Sequence, residues 1–282
     1  TTSKDQNLNS PSGDGEEMLK TTKDFAEEAR LHRQQWHKLW DMADFKIQGD
    51  RFAQKAVRLH IYHLLVTASP HNKHLDVGIP ARGLHGEGYR GHIFWDEMYV
   101  LPFYNLHFPE ISKSDLMYRY RRLKAAKEDA REHGYKGAMF PWQSADDGHE
   151  ETQMIHYNPV SGKWDPDLSH LQRHVSLAIA VNILDYCRST HDRKFMYDYG
   201  IEMLIEIARF WTSISEKGDD ERYHIKNVMG PDEFQEKYPD AEEGGIHDNA
   251  YTNIMVSWLL NKVIHFYMNF DKKELENIKK KT

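Results

Sequence analysis

Ile201-Glu202-Met203-Leu204-Ile205-Glu206-Ile207-Ala208-Arg209-Phe210-Trp211 places Ile201, Leu204, Ile205, Ala208 and Trp211 on one side of a 3.6-residue helix. The spacing predicts a helix within 192–215. The same period recurs outward in both directions. Tyr251, Ile254, Met255, Trp258 and Leu259 predict a helix over 249–267, and the apolar run 170–186 predicts another. Leu116, Tyr120, Leu123 and Ala130 predict one over 115–133. Further upstream, 51–66 reads as a buried helix, and 18–45 as a charged one. Period-2 alternation is scarce, and 222–227 is the best short strand candidate. The expected class is all-α, with seven or eight helices and long loops that hold the Gly, Asp and Trp residues.

Composition narrows the function. The chain has 282 residues, 39% of them hydrophobic and 12% aromatic, enough for a packed core. Its net charge of −7 argues against a nucleic-acid binder, which usually carries a basic face. No run approaches the roughly 18 apolar residues that a membrane span needs. Residues 1–17 are polar and lack the apolar segment of a signal peptide, so they are expected to be a flexible linker. The lone Cys187 excludes an internal disulfide and a Cys-based metal cluster. These features fit a cytoplasmic protein. The Trp and Tyr content suits sugar rings, which need a flat apolar face beside a polar edge; ordinary core packing is the alternative for any one of them. The lysine-rich stretch 271–282 reads as a solvated terminal helix or as a chain cut off in mid-architecture.

Five segments invite chemistry. Gly86-Glu87-Gly88-Tyr89-Arg90-Gly91 matches G-x-G-x-x-G, but no strand precedes it, so a dinucleotide site is not expected. His170 and His174 have an i, i+4 spacing but lack the Glu of H-E-x-x-H and a third ligand; no metal is expected, and a pocket-lining or core role fits better. In Gly230-Pro231-Asp232-Glu233-Phe234, a carboxylate on a rigid turn beside Phe234 and Tyr238 could enter an apolar pocket. Burial there would raise its pKa and keep a proton on it; a solvated turn is the alternative. Phe94-Trp95-Asp96-Glu97 and Phe140-Pro141-Trp142-Gln143-Ser144, the latter followed by Asp146-Asp147, each set an indole beside hydrogen-bonding side chains, as a sugar clamp would. Together, the loop-borne Trp, Asp, Glu and Gln point toward carbohydrate.

At these clusters the sequence resembles glycoside hydrolase family 65. That family holds maltose, kojibiose and trehalose phosphorylases and their hydrolytic relatives. The segments carrying the resemblance are 88–97 (GYRGHIFWDE), 116–123 (LMYRYRRL), 134–144 (GYKGAMFPWQS), 228–234 (VMGPDEF) and 248–253 (DNAYTN). The resemblance runs from about Phe25 to at least Tyr267. It implies an (α/α)6 barrel, of which residues 71–282 would be the N-terminal part, preceded by linker helices over 18–70. It implies Glu233 as the general acid. It also implies a pocket lined by Tyr89, Trp95, Asp96, Trp142, Gln143, His174 and Asn249, with Trp95 and Asp96 holding the non-reducing glucose and the Trp142 segment holding the leaving sugar. The sequence departs from the family where Gln143 replaces a Glu, and where Lys163-Trp164-Asp165-Pro166 stands near the place of a Trp-Thr-Gly stretch. Both departures touch the leaving-sugar subsite and bear on which disaccharide is used.

The implied reaction is cleavage of an α-linked glucose disaccharide with inversion. An inverting hydrolase needs an acid and a base about 6.5–9.5 Å apart, with water between them. A phosphorylase needs the acid alone, because inorganic phosphate is the nucleophile and β-glucose 1-phosphate the product. Phosphorolysis without a cofactor, in a homodimer, is the expectation; a kojibiose or trehalose hydrolase is the rival, and a non-catalytic sugar-binding module the next. A structural helical repeat is disfavoured, because no internal period of about 20–50 residues is visible. Only about half of the helices of the barrel can be counted, so the chain reads as a portion of a larger enzyme whose uncovered apolar faces would limit solubility.

Overall fold

The computed structural model describes residues 10–83, 88–231 and 236–281. Helix α1 spans Pro11–Thr21, α2 Phe25–Ala43, α3 Arg51–Thr67, α4 Glu97–His107, α5 Pro109–Arg121 and α6 Leu123–Glu132. Then come α7 Val175–Thr190, the short α8 Arg193–Phe195, α9 Ile201–Ile214, α10 Ala250–Asn269 and α11 Lys272–Lys281. A π turn, Met196–Gly200, joins α8 to α9. Two small antiparallel hairpins complete the chain: β1 Ile155–Asn158 with β2 Lys163–Pro166, and β3 Ser215–Lys217 with β4 Tyr223–Ile225.

The helices start where the sequence supplies a cap. Asp24, Asp50, Asp192 and Asn249 each accept a backbone N–H three residues on, satisfying one of the donors a helix start leaves open. Residues 11–17, expected as part of a linker, instead begin α1, with Ser10 as cap and Pro11 in the first position, and bury nothing. The single helix expected over 115–133 breaks at Arg122, where the guanidinium is tied to Asp76 Oδ1 at 2.9 Å and to the Asp146 carbonyl at 2.6 Å. The strand expected at 222–227 is β4.

Two apolar clusters hold the helices. In the smaller, Ile61 and Leu65 of α3 pack with Leu101, Tyr104 and Phe108 at α4 and with Ile111 of α5. The larger is built on α7 and α9, joined by parts of α5, α6 and α10. Helix α9 buries nine of its 14 residues, Phe210 and Trp211 completely. At about 1.5–3 kcal/mol for each large apolar side chain, this helix alone is a major source of cohesion. Helix α4 packs on α5 and α7, α7 on α9, and α9 on α10. The described parts of the loops between α3 and α4, α6 and α7, and β4 and α10 therefore lead into the N-terminal ends of α4, α7 and α10.

Those loops are pinned. Ile93 and Ser144 exchange both backbone hydrogen bonds at 2.9 Å. Gly137 has φ +77, and a Cβ there would lie 2.2 Å from the Glu206 carbonyl and 2.4 Å from the Phe210 amide of α9. Only a residue without a side chain lets this loop approach the helix so closely.

Candidate active site

Helix α4 begins immediately after Trp95-Asp96, and α7 immediately after His174, so two helix starts aim these side chains into one space. The Trp95 indole meets the His174 ring edge to face, with centroids 4.6 Å apart. Trp142 lies 5.2 Å from His174 and 6.2 Å from Trp95. Tyr251, the second residue of α10, closes the group at 6.0 Å from His174 and 6.4 Å from Trp95. Edge-to-face contacts at these separations are the favoured geometry of aromatic pairs.

His174 is buried, and neither ring nitrogen makes a hydrogen bond of normal geometry among the described residues. Burial pushes its pKa down to about 4, against the opposing pull of the Met229 backbone. The imidazole is neutral at pH 7. Asp96 occupies the cap position of α4 but makes no cap hydrogen bond. Partial burial raises its pKa. It directly follows Trp95 in the chain, and its carboxylate spends no oxygen on the helix cap.

The Tyr89 ring lies tilted against Phe94 at 4.8 Å, and Phe94 in turn meets Trp142 edge to face at 5.4 Å. Tyr89 and Arg90 both have positive φ, 61° and 54°, which for non-glycine residues costs about 1–3 kcal/mol each and marks a strained turn. The Gln143 amide nitrogen lies 2.6 Å from His92 Nδ1; with the amide donating, the imidazole accepts. Asn249 caps α10, its Oδ1 accepting the Thr252 N–H at 3.1 Å. It therefore sets the start of the helix that carries Tyr251.

Of the residues expected to line a pocket, Trp95, Trp142 and His174 touch one another and Tyr89 joins them through Phe94, while Asp96 and Gln143 adjoin the two indoles in the chain. Asn249 enters through the helix it caps. Glu233 lies outside the described residues, as do Asp232 and Phe234 and the first two residues of the glycine-rich segment. His170 sits in a separate turn before α7, so it does not share a helix with His174. Among the described residues, no group of three His, Cys, Asp or Glu side chains is arranged to hold a metal ion.

Comparison with known proteins gives the arrangement its setting. Residues 58–282 match the profile of the glycosyl hydrolase family 65 central catalytic domain. The chain belongs to glycosyl hydrolase family 65. It is 50% identical over 228 residues to trehalose 6-phosphate phosphorylase from Lactococcus lactis, covering 80% of this chain and 30% of that protein. It is 43% identical over 277 residues to kojibiose phosphorylase from Halothermothrix orenii, covering 94% of this chain and 34% of the relative. The solved "Putative kojibiose phosphorylase from human microbiome" superposes with a TM-score of 0.75 at 27% identity, over 98% of this chain and 40% of that one. The chain spans about a third or less of the length of the curated relatives it matches. The all-α class and the helix pairing of the family 65 toroid are those expected from the sequence.

The family motifs also contain residues that sequence reasoning missed. Behind Trp95-Asp96, Arg119 donates through Nε to Glu97 Oε2 at 3.1 Å and through Nη2 to the Phe94 carbonyl at 2.8 Å. Asp115 accepts the Ile79 N–H at 3.0 Å. All three side chains are buried, with Glu97 paired to the guanidinium and Asp115 within reach of its charge. Burial pushes Glu97 well up and Asp115 up to about 7, while its carboxyl neighbours keep Arg119 charged. Arg119 thereby ties together the Phe94–Glu97 segment on which the site is built. Arg119 stands within the 116–123 motif, where no role was assigned to it. Tyr251 was missed because it reads as one more apolar position of a periodic helix.

Proposed function

We propose that this chain forms the sugar-gripping part of an inverting α-glucoside phosphorylase, which transfers glucose from a disaccharide to inorganic phosphate and releases β-glucose 1-phosphate. The observation that supports it most is the convergence of Trp95, Trp142, Tyr251 and neutral His174 beside Asp96. Such a surface stacks on a pyranose ring and accepts its hydroxyl protons without placing a full positive charge against the developing oxocarbenium ion. Asp96 accepts from the hydroxyls of the glucose that is transferred. Trp142 and Gln143, the latter held by His92, serve the leaving sugar. Glu233 protonates the glycosidic oxygen as the bond to the leaving sugar breaks, and phosphate attacks the anomeric carbon from the opposite face.

The relatives bring two substrate classes to this chain: a disaccharide phosphate, from the Lactococcus enzyme, and a neutral disaccharide, from the Halothermothrix enzyme. An amide at position 143 tolerates an anionic leaving sugar better than a carboxylate would, because it carries no like charge. On this reading the enzyme needs no cofactor and works as a homodimer in the cytoplasm.

Proton NMR of the full-length enzyme tests the reading. Trehalose 6-phosphate, trehalose, kojibiose and maltose are supplied with and without phosphate. β-Glucose 1-phosphate formed only with phosphate is the expected result. Free β-glucose formed regardless of phosphate would make the enzyme an inverting hydrolase, and sugar binding without turnover would make it a lectin-like module.

A further inference from the structure

Glu150 has no part in the roles assigned above, yet the backbone of Trp142-Gln143 hangs on its carboxylate. Oε2 accepts the Trp142 N–H at 2.8 Å, and Oε1 accepts the Gln143 N–H at 3.1 Å. Oε1 also accepts the Thr152 N–H at 3.1 Å and the Thr152 hydroxyl at 2.6 Å. Four donors converge on one charged acceptor, the stronger class of hydrogen bond. Successive amides of an extended strand point to opposite edges. Capture of two in a row is therefore a property of the bend at 141–143, and carboxylate and bend go together.

The rest of the segment is fixed from both sides. Glu151 donates its N–H to the Gln143 carbonyl at 2.9 Å, and Ser144 pairs with Ile93. From this frame the Trp142 indole reaches His174, and the Gln143 amide reaches His92. A shift of the 142–143 backbone moves both side chains at once. Glu150 also faces a cavity of about 320 Å³ lined by Asp129, His133, His170 and Arg173, so an isosteric side chain fits in its place.

We propose that Glu150 is a positioning residue for the leaving-sugar subsite: it does not touch the sugar but sets where Trp142 and Gln143 stand. The inference rests on the reading that those two residues serve the leaving sugar.

In the full-length enzyme run in the synthetic direction, β-glucose 1-phosphate is the donor and the free sugar the acceptor. Glu150→Ala is expected to raise the acceptor KM at least tenfold while the donor KM stays within twofold of wild type. Glu150→Gln, which keeps one accepting oxygen, should fall between. Equal movement of both KM values, a change in kcat alone, or a loss of thermal stability with the KM ratio unchanged would overturn the proposal and leave Glu150 a loop staple. Absence of phosphorolysis in the wild type is a failure of the functional reading, and calorimetric titration with glucose then takes the place of KM. Affinity lost in Glu150→Ala and partly kept in Glu150→Gln upholds the positioning role. Unchanged affinity, or no binding by wild type, overturns it.

Discussion

A neutral imidazole enclosed by three aromatic rings ties the stability of the fold to pH. The pKa of His174 falls from an ordinary 6.5 to about 4 on folding. Between those values the unfolded chain holds a proton that the folded chain refuses. The contribution is present above pH 6.5 and is lost as pH falls to 4, an amount of about 3 kcal/mol. Urea melts from pH 4 to 7 should show a flatter profile for His174→Gln than for wild type; parallel profiles would mean that the ring titrates normally. Asp115 works in the opposite direction. Its folded pKa is raised to about 7, so its contribution falls as pH rises from about 4 to 7, and only the difference between the two proteins isolates His174. Glu233→Gln keeps the shape of the proposed acid and removes its proton. It is expected to lower kcat of the full-length enzyme by about 10²–10⁴-fold, and a kcat within tenfold of wild type would remove Glu233 from the role. At this scale the sequence was only partly legible. Trp95, Asp96, Trp142 and Gln143 announced themselves as polar and aromatic residues in loops. Glu97 and Arg119 did not, because nothing local says that a charged pair will be buried together.

Helices were the most legible elements, because α7, α9 and α10 run for 16, 14 and 20 residues with apolar positions at helical spacing, and the period survives noise. Their interruptions were less so. The break between α5 and α6 depends on Arg122 reaching Asp76 and Asp146, contacts between residues 24 and 46 positions apart. The hairpin β1–β2 escaped notice because its strands are four residues each with none buried, too short for a period of two to stand out. Two element-scale substitutions follow from the contacts. Gly137→Ala puts a methyl group into the α9 backbone at a positive φ and should cost about 2–3 kcal/mol in a denaturant melt; a loss below 0.5 kcal/mol would mean that the loop moves aside. Asn249→Ala removes the α10 cap and should cost about 1 kcal/mol. It should also weaken sugar binding through Tyr251, which calorimetry on the full-length enzyme would detect as a rise in Kd with unchanged stoichiometry.

The molecule as a whole presents apolar side chains to solvent on two helices of its core. Leu106 on α4 and Met268 on α10 are 75% and 78% exposed, and Tyr99 and Ile254 stand on the same two helices. Tyr99 and Leu106 are seven residues apart and Ile254 and Met268 fourteen, so each pair lies on one side of its helix, and an exposed apolar stripe marks a place where something packs. The 282-residue chain on its own is therefore expected to self-associate in light scattering at high concentration, and Leu106→Lys with Met268→Lys to reduce that association. A monodisperse wild type would show that these side chains are tolerated singly. The fold class was legible at this scale from periodicity, whereas the family was legible only from short motifs, 88–97 and 134–144 largely in loops and 116–123 at the end of α5. The same dispersal governs how the site is born. Trp95, Trp142, His174 and Tyr251 are strung along more than half of the chain, and at about 5–20 residues per second of synthesis the Trp95 ring waits on the order of 10–30 s for Tyr251 to leave the ribosome. Until then the proposed pocket is a half-formed surface of exposed aromatic rings, the kind of surface that makes a nascent chain prone to aggregate.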